Sequence, residues 1–282
     1  MKKLSFPEIR VGGGNNLTVK EKTPEIRPIA GGVYLINEFD GTNCYLLAGS
    51  SKALLIDCGT GLCDYTAAVR SVTDLPFTVA ATHGHVDHIG GAGQFDEVFV
   101  HRLDCRLFNR AQASVFLRRL FTLGNAAVKA HGIGPRDAKR YPRKANLTPF
   151  DDFSVDLGGK TVTAHLTPGH TKGSVAFIDE EDKLIFSGDN VCDALWLHLP
   201  GCTSVEEWLP SARWLYEKSA DYRIFWGHRT PELTREYIGT VIGWGEEILQ
   251  SRSRNTILPL IKQYPPQSDG ILYRTDRVFK KQ

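Results

Sequence analysis

The run Thr82-His83-Gly84-His85-Val86-Asp87-His88, directly after the apolar stretch Phe77 to Ala81, places three imidazoles and a carboxylate within six residues. A lone histidine is ordinarily a satisfied or surface side chain, but three at this density, on what reads as the loop leaving a strand, describe a metal site. Imidazole and carboxylate together suit zinc, iron or manganese, whereas calcium and magnesium take all-oxygen shells. Three further ligand types stand far downstream, each beside a glycine and at or just past a strand-like run: His170 in Thr167-Pro168-Gly169-His170, Asp189 in Ser187-Gly188-Asp189 and His228 in Trp226-Gly227-His228. A chain with this pattern has to bring four strand ends to one point, as α/β sites generally do.

The pattern resembles the metallo-β-lactamase superfamily, whose hallmark is His-x-His-x-Asp-His followed by single His, Asp and His ligands, and the resemblance covers roughly residues 30 to 230. It implies an α/β (α+β) fold, a four-layer αβ/βα sandwich of two mixed β-sheets with helices outside and metals at one edge between the sheets. It also implies a ligand set: His83, His85 and His170 for one divalent ion, Asp87, His88 and His228 for a second, and Asp189 as the bridge. In that reading the ions are zinc first, with iron or manganese as alternatives. They share a water that becomes a hydroxide nucleophile near neutral pH, and Asp87 and Asp189 are the catalytic carboxylates. The expected activity is hydrolysis of an ester, thioester or lactone bond of a small metabolite. Alternatives are phosphodiester or phosphomonoester hydrolysis of an anionic substrate and iron-dependent oxygenase chemistry of the same fold.

The chain departs from several branches of the superfamily. Asp189 as a bridging ligand is unlike the true β-lactamases, Asn190 to Trp196 stands where the glyoxalase II group has a Gly-Cys-Gly-Arg-like segment, and Val86 stands where the tRNA-processing nucleases have glycine. No tyrosine occurs between Asp189 and Tyr216, where the acyl-homoserine lactonases place one in the pocket. The proton donor to the leaving group is therefore unassigned, with Asp193 and His198 as the nearest candidates. The apolar segment Leu195-Trp196-Leu197-His198-Leu199-Pro200 either walls an acyl pocket, with Trp196 on it and His198 at its mouth, or tucks onto the core. Cys192, three residues past Asp189, is a pocket candidate or a small buried hydrophobe. Each ligating imidazole needs a partner for its other ring nitrogen. Asp57, after Leu54-Leu55-Ile56, is the candidate for one of them or else caps a turn.

The second constraint is charge. From His101 to Lys144 there are 11 Lys or Arg against Asp104 and Asp137, a local balance of +9 in a chain whose net charge is +2. Leu103, Leu107, Ala111 and Val115 recur at a spacing of four, with Arg102, Arg106 and Arg110 on another face, so 102–144 reads as a basic, amphipathic helical insert. It draws an anionic substrate, or it is a solvated face that pairs with acidic patches elsewhere on the chain or on a second subunit of a homodimer. Nucleic acid is not expected, because no stacking platform is interleaved; Phe108, Phe116 and Phe121 read as inward-packing. Residues 1–30 are left irregular, 31–254 form the catalytic domain, and 255–282 are an extension packed on it that offers Ile271-Leu272-Tyr273 as a strand.

Strands are expected at Val33 to Ile36, Asn43 to Ala48 and Ala53 to Asp57, with hairpins about Gly158-Gly159 and about the acidic turn after Ile178. Ser204 and Glu207 form a capping box, and Thr230-Pro231 opens a final helix. The six cysteines contain no Cys-x-x-Cys and read as free thiols. No apolar run approaches a membrane span, and Pro7, Glu8 and Arg10 interrupt any leader, so a cytoplasmic protein with a small-molecule substrate and no membrane partner is expected.

Overall fold

The computed structural model describes residues 23–280 except 113, 140, 142, 143, 230, 231, 252, 253, 267 and 268. The first 22 residues, with the Gly12-Gly13-Gly14 run, lie outside the described residues. In chain order the elements are β1 Glu25–Ala30, β2 Val33–Glu38, β3 Thr42–Ala48, β4 Ala53–Ile56, α1 Tyr65–Arg70, β5 Phe77–Ala80, α2 Val86–Ile89 and β6 Glu97–His101. The basic insert follows as α3 Cys105–Gln112, α4 Val115–Gly124 and α5 Ala126–Ala130. Then come β7 Asn146–Phe150, β8 Ser154–Asp156, β9 Thr161–Leu166, β10 Val175–Asp179, β11 Leu184–Phe186, β12 Trp196–Leu197, α6 Val205–Lys218, β13 Arg223–Phe225, β14 Glu232–Leu233, α7 Arg235–Gln250, β15 Ile261–Tyr264 and β16 Ile271–Arg274.

Two large sheets carry the fold. The first runs β1 to β7 in sequence order, antiparallel through β4 and parallel from β4 to β7. The second has the order β14-β13-β11-β10-β9-β8, with one parallel pairing, β11 with β13. Strand alternation shows how they stack. In β4, Leu54 and Ile56 point between the sheets to meet Phe177, Phe186 and Phe225, while Ala53 and Leu55 point outward to the cluster holding Tyr65, Ile89, Phe108 and Val128. The outer face of the second sheet, Ala176, Ile178, Ile185 and Ile224, packs on Trp208, Leu209, Ala212 and Leu215 of α6 and on Ile238, Val241 and Ile248 of α7. Three apolar layers between four layers of structure give the expected αβ/βα sandwich.

The elements differ from expectation in three places. Glu25–Ala30, assigned to the irregular start, is an edge strand paired with β2; Pro28 sits there because an edge tolerates a missing donor. The last helix begins at Arg235, with the Thr234 side chain accepting from Tyr237 N, and Glu232–Leu233 is a strand; Thr230 and Pro231 lie outside the described residues. The basic helical insert comprises three helices, with Ser114 and Asn125 as N-caps of α4 and α5. Phe108 is buried and Phe121 packs against the core, but Phe116 is 69% exposed. The Ser204–Glu207 capping box forms as the sequence indicates, and all six cysteines are free. Ile271–Arg274 forms the centre of a third, three-stranded sheet, between β12 and β15. Among the described residues no helix is long and apolar enough to cross a membrane.

Candidate metal centre

Every loop of the site leaves the end of a strand. Asp57 follows β4, the His83–His88 run follows β5 and enters α2, His170 lies between β9 and β10, Asp189 follows β11 and His228 follows β13. These loops bring all seven predicted ligands together in two groups, His83, His85 and His170 in one and Asp87, His88, Asp189 and His228 in the other, the ligand atoms of each group lying within 4.8 Å of one another. Asp189 Oδ2 stands 3.0 Å from His228 Nε2, 3.4 Å from His88 Nε2 and 3.8 Å from His170 Nε2, so one carboxylate oxygen faces both groups.

The hydrogen bonds decide which nitrogen of each ring faces inward. His170 Nδ1 donates to Trp196 O at 3.0 Å, His228 Nδ1 to Gly41 O at 2.6 Å and His85 Nε2 to Pro200 O at 3.2 Å. His88 Nδ1 donates to Asp57 Oδ2 at 2.8 Å. Thr82 Oγ1 spends its proton on Asp57 Oδ2 and so accepts from His83 Nδ1 at 3.1 Å. All five outer nitrogens are thus anchored, and the inward atoms are His83 Nε2, His85 Nδ1, His88 Nε2, His170 Nε2 and His228 Nε2.

Those inward atoms fit divalent cations. His85 Nδ1 and His170 Nε2 approach to 2.8 Å with a lone pair on each, an arrangement that a shared cation turns from repulsive to favourable. His83 Nε2 and Asp189 Oδ1 are buried with no hydrogen-bond partner, and such orphaned atoms are costly without a ligand. Burial and the neighbouring imidazoles hold His83 well below the usual histidine range, burial lowers His85, and burial pushes His170 down to about 3, so this group is neutral and ready to coordinate. Around the second group, burial opposes charge on His88 and His228, but Asp189 and the other carboxylates outweigh it and raise both. Burial likewise opposes charge on Asp189, and His228 and His88 reverse that and draw it well below the ordinary carboxylate range.

The supporting residues are equally specific. Asp57 accepts from His88 Nδ1, Thr82 N and Thr82 Oγ1, so it fixes the His88 ring and, through Thr82, the His83 ring; it does so from a left-handed backbone, φ 61°. Glycine is required at 227, where a Cβ would come within 2.3 Å of Asp189 Oδ1 and 2.5 Å of His88 Cε1. Sequence reasoning missed Asp104. From the turn after β6, its buried carboxylate accepts from Gly84 N at 2.9 Å, Thr171 Oγ1 at 2.7 Å and Gly173 N at 2.9 Å, tying the loop of His83 and His85 to the loop of His170. Nothing in its local sequence marks it, because its partners come from other loops.

The pocket candidates divide. Cys192 is 4% exposed and belongs to the core under α6 and α7, with Sγ donating to Asp189 O, so it does not line the site. Asp193 is committed to an ion pair with Arg229 at 2.7 Å. Trp196 is exposed while its carbonyl holds His170, and Leu195 and Leu197 tuck into the core, the second of the two roles weighed for the apolar segment. His198 is half-buried beside Trp196, and its Nδ1 has no hydrogen-bond partner. The remaining histidines lie elsewhere: His101 accepts from Leu103 N, His131 pairs with Asp40 and His165 stacks on Trp214.

A four-layer sandwich with two anchored His/Asp ligand groups at its strand ends defines a metallo-hydrolase. The chain belongs to the metallo-beta-lactamase superfamily, whose family model matches residues 37–228. It is similar to the acyl-coenzyme A thioesterase MBLAC2 of Gallus gallus, with 29% identity over 70% of this chain and 71% of that protein; it spans 64% of the bovine and human counterparts. It is 28% identical to the atrochrysone carboxyl ACP thioesterase of Aspergillus chevalieri over 61% of this chain, which amounts to about half of that protein's length, 47%. Among solved structures it is similar to TTHA1623 in a di-iron-bound form, with a TM-score of 0.51 and 26% identity over 70% of this chain and 92% of the other.

Proposed function

We propose that the protein hydrolyses acyl thioesters of a small carrier such as coenzyme A, with two divalent ions held by His83, His85 and His170 and by Asp87, His88 and His228, and with Asp189 shared between them. The observation that carries this is Asp189 Oδ2, which lies within 3.8 Å of inward nitrogens from both groups. Divalent ions bound there supply Lewis acidity and a water-derived nucleophile at neutral pH. Asp57, Thr82 and the carbonyls of Gly41, Trp196 and Pro200 fix the rings so that little reorganisation accompanies reaction.

Two further points support a thioester. Relatives of this chain are named as thioesterases acting on coenzyme A and carrier-protein substrates. Of the two proton donors offered by the sequence, Asp193 is occupied by Arg229, and burial lowers the pKa of His198 and keeps it neutral. A thiolate leaves with little help, since a thiol has a pKa of about 8.5, whereas an alkoxide or amide leaving group needs an acid. The phosphodiester reading is favoured by the basic insert, but the phosphates of a coenzyme A thioester satisfy the same charge.

The test is thiol release from acyl-coenzyme A, compared with hydrolysis of an aryl phosphodiester, by protein loaded with zinc, manganese or iron. Thioester cleavage that drops by roughly 1,000-fold or more in Asp189→Ala is the expected result. Faster phosphodiester cleavage, or an undiminished rate in that variant, overturns the proposal. Elemental analysis of freshly purified protein identifies the metal, and a mononuclear iron protein inactive as a hydrolase would instead point to the oxygenase reading.

A further inference from the structure

Helix α4 exposes most of its apolar residues. Its buried residues are Arg118 and Thr122, while Phe116, Leu117, Leu120 and Leu123 are 69%, 37%, 52% and 57% exposed. Residues 116, 120 and 123 share one helical face, so the exposed side chains form a continuous stripe. Scattered exposed apolar residues are ordinary, but an apolar stripe on a helix that buries Arg118 and Thr122 is not. The preceding helix α3 exposes Arg106 and Arg110, α4 adds Arg119, and none of these three guanidinium groups has an ion pair or hydrogen bond among the described residues. The surface is thus apolar on one helix and positive on its neighbour.

We propose that the α3–α4 face docks on an anionic lipid surface, with Phe116, Leu120 and Leu123 entering the interface and Arg106, Arg110 and Arg119 meeting headgroup phosphates. Charge complementarity selects this occupant. A second copy meeting the same face would bring two arginine clusters together, because a two-fold interface pairs each patch with itself. A single acyl chain needs a cleft, and these side chains project from the helix. A helix that carries a basic face and an apolar face and lies in the plane of a membrane meets both demands without spanning it. The two helices adjoin the metal loops on their inner side: a Cβ at Gly84 would touch Leu107 and Phe108 of α3, and α4 packs against α2. The argument does not depend on the thioester reading, and the test below uses no turnover.

The full chain is sedimented with vesicles of phosphatidylcholine alone and of phosphatidylcholine mixed with phosphatidylserine, at low and high salt. The expected result is binding to the mixed vesicles only, weakened by salt. F116S/L120S/L123S should lose roughly tenfold in affinity per side chain withdrawn, and R106Q/R110Q/R119Q roughly fivefold per charge. All six residues are exposed, so both variants should melt with the parent, and L120S alone serves if the triple variant does not. Failure of the parent to bind mixed vesicles at low salt overturns the proposal, as does equal binding by the apolar variant. A parent dimer in light scattering that the apolar variant converts to monomer would assign the face to a second copy and also overturn it.

Discussion

Asp104 is the residue whose replacement tests the site most sharply. Its Oδ2 accepts two hydrogen bonds, from Gly84 N and Thr171 Oγ1, and its Oδ1 accepts one from Gly173 N. An asparagine can keep its oxygen on the first pair only by turning its NH2 towards Gly173 N, which exchanges one charge-assisted bond for two opposed donors. The cost is about 2 kcal/mol for Asp104→Asn, and about 5 kcal/mol for Asp104→Ala, which strands all three donors in a buried place. The loosened loops carry His83, His85 and His170, while His88 of the second group keeps its bond to Asp57. Asp104→Asn should therefore melt about 5 °C lower and bind its first metal ion roughly 10- to 100-fold more weakly, leaving one ion per chain after dialysis against a competing chelator. Thermal denaturation and elemental analysis read both effects. Two tightly held ions and an unchanged midpoint in Asp104→Asn would refute the idea that this carboxylate joins the two ligand loops.

Other outcomes follow from single observations. Gly227→Ala should abolish metal binding at the second group, read by elemental analysis, because its Cβ would overlap Asp189 and His88. Stripping the metal with a chelator should lower the melting temperature, and readdition should restore it, since the inward lone pairs then repel and Asp189 Oδ1 is orphaned. Burial raises Glu38 to about 7 even though Thr60 N and Leu62 N donate to it. Its folded pKa lies above its unfolded one, so the associated stability is present in full below about pH 4.5 and is lost as pH rises through 7, about 3 kcal/mol in all. The stability–pH curve should fall across that window and flatten in Glu38→Gln; an equal slope in both would remove the assignment.

The convergence of the His and Asp side chains was legible because metal chemistry restricts residue type and the six-residue run restricts spacing, and a motif survives whatever the rest of the fold does. Asp57 was legible for a related reason, standing at the end of an obvious strand. Asp104 was not, since its role depends on three loops meeting. Phe116 was misread because a helical period shows that a helix has two faces and does not say which is covered. The strand at Glu25–Ala30 was hidden by Pro28 and its weak alternation, with burial decided by β2 rather than by its own side chains. Cys192 was offered to the pocket by its closeness to Asp189 in sequence, but the chain turns at Gly188, φ 55°, and carries the thiol into the core.

The two-residue strand β12 is a small element with a long reach. Trp196 and Leu197 pair with Leu272 and Tyr273, and Leu272 N donates to Leu195 O, so the carbonyls that hold His170 and His85 sit in a loop fastened by a strand made much later in synthesis. A nascent chain that already displays all seven ligands still lacks the clamp that sets two of their rings. If the first group holds an ion as proposed, tight binding there is expected only once this third sheet is complete, with residues 271–274 in place. A chain stopped before residue 255 should accordingly hold its first ion weakly in equilibrium dialysis while keeping the second.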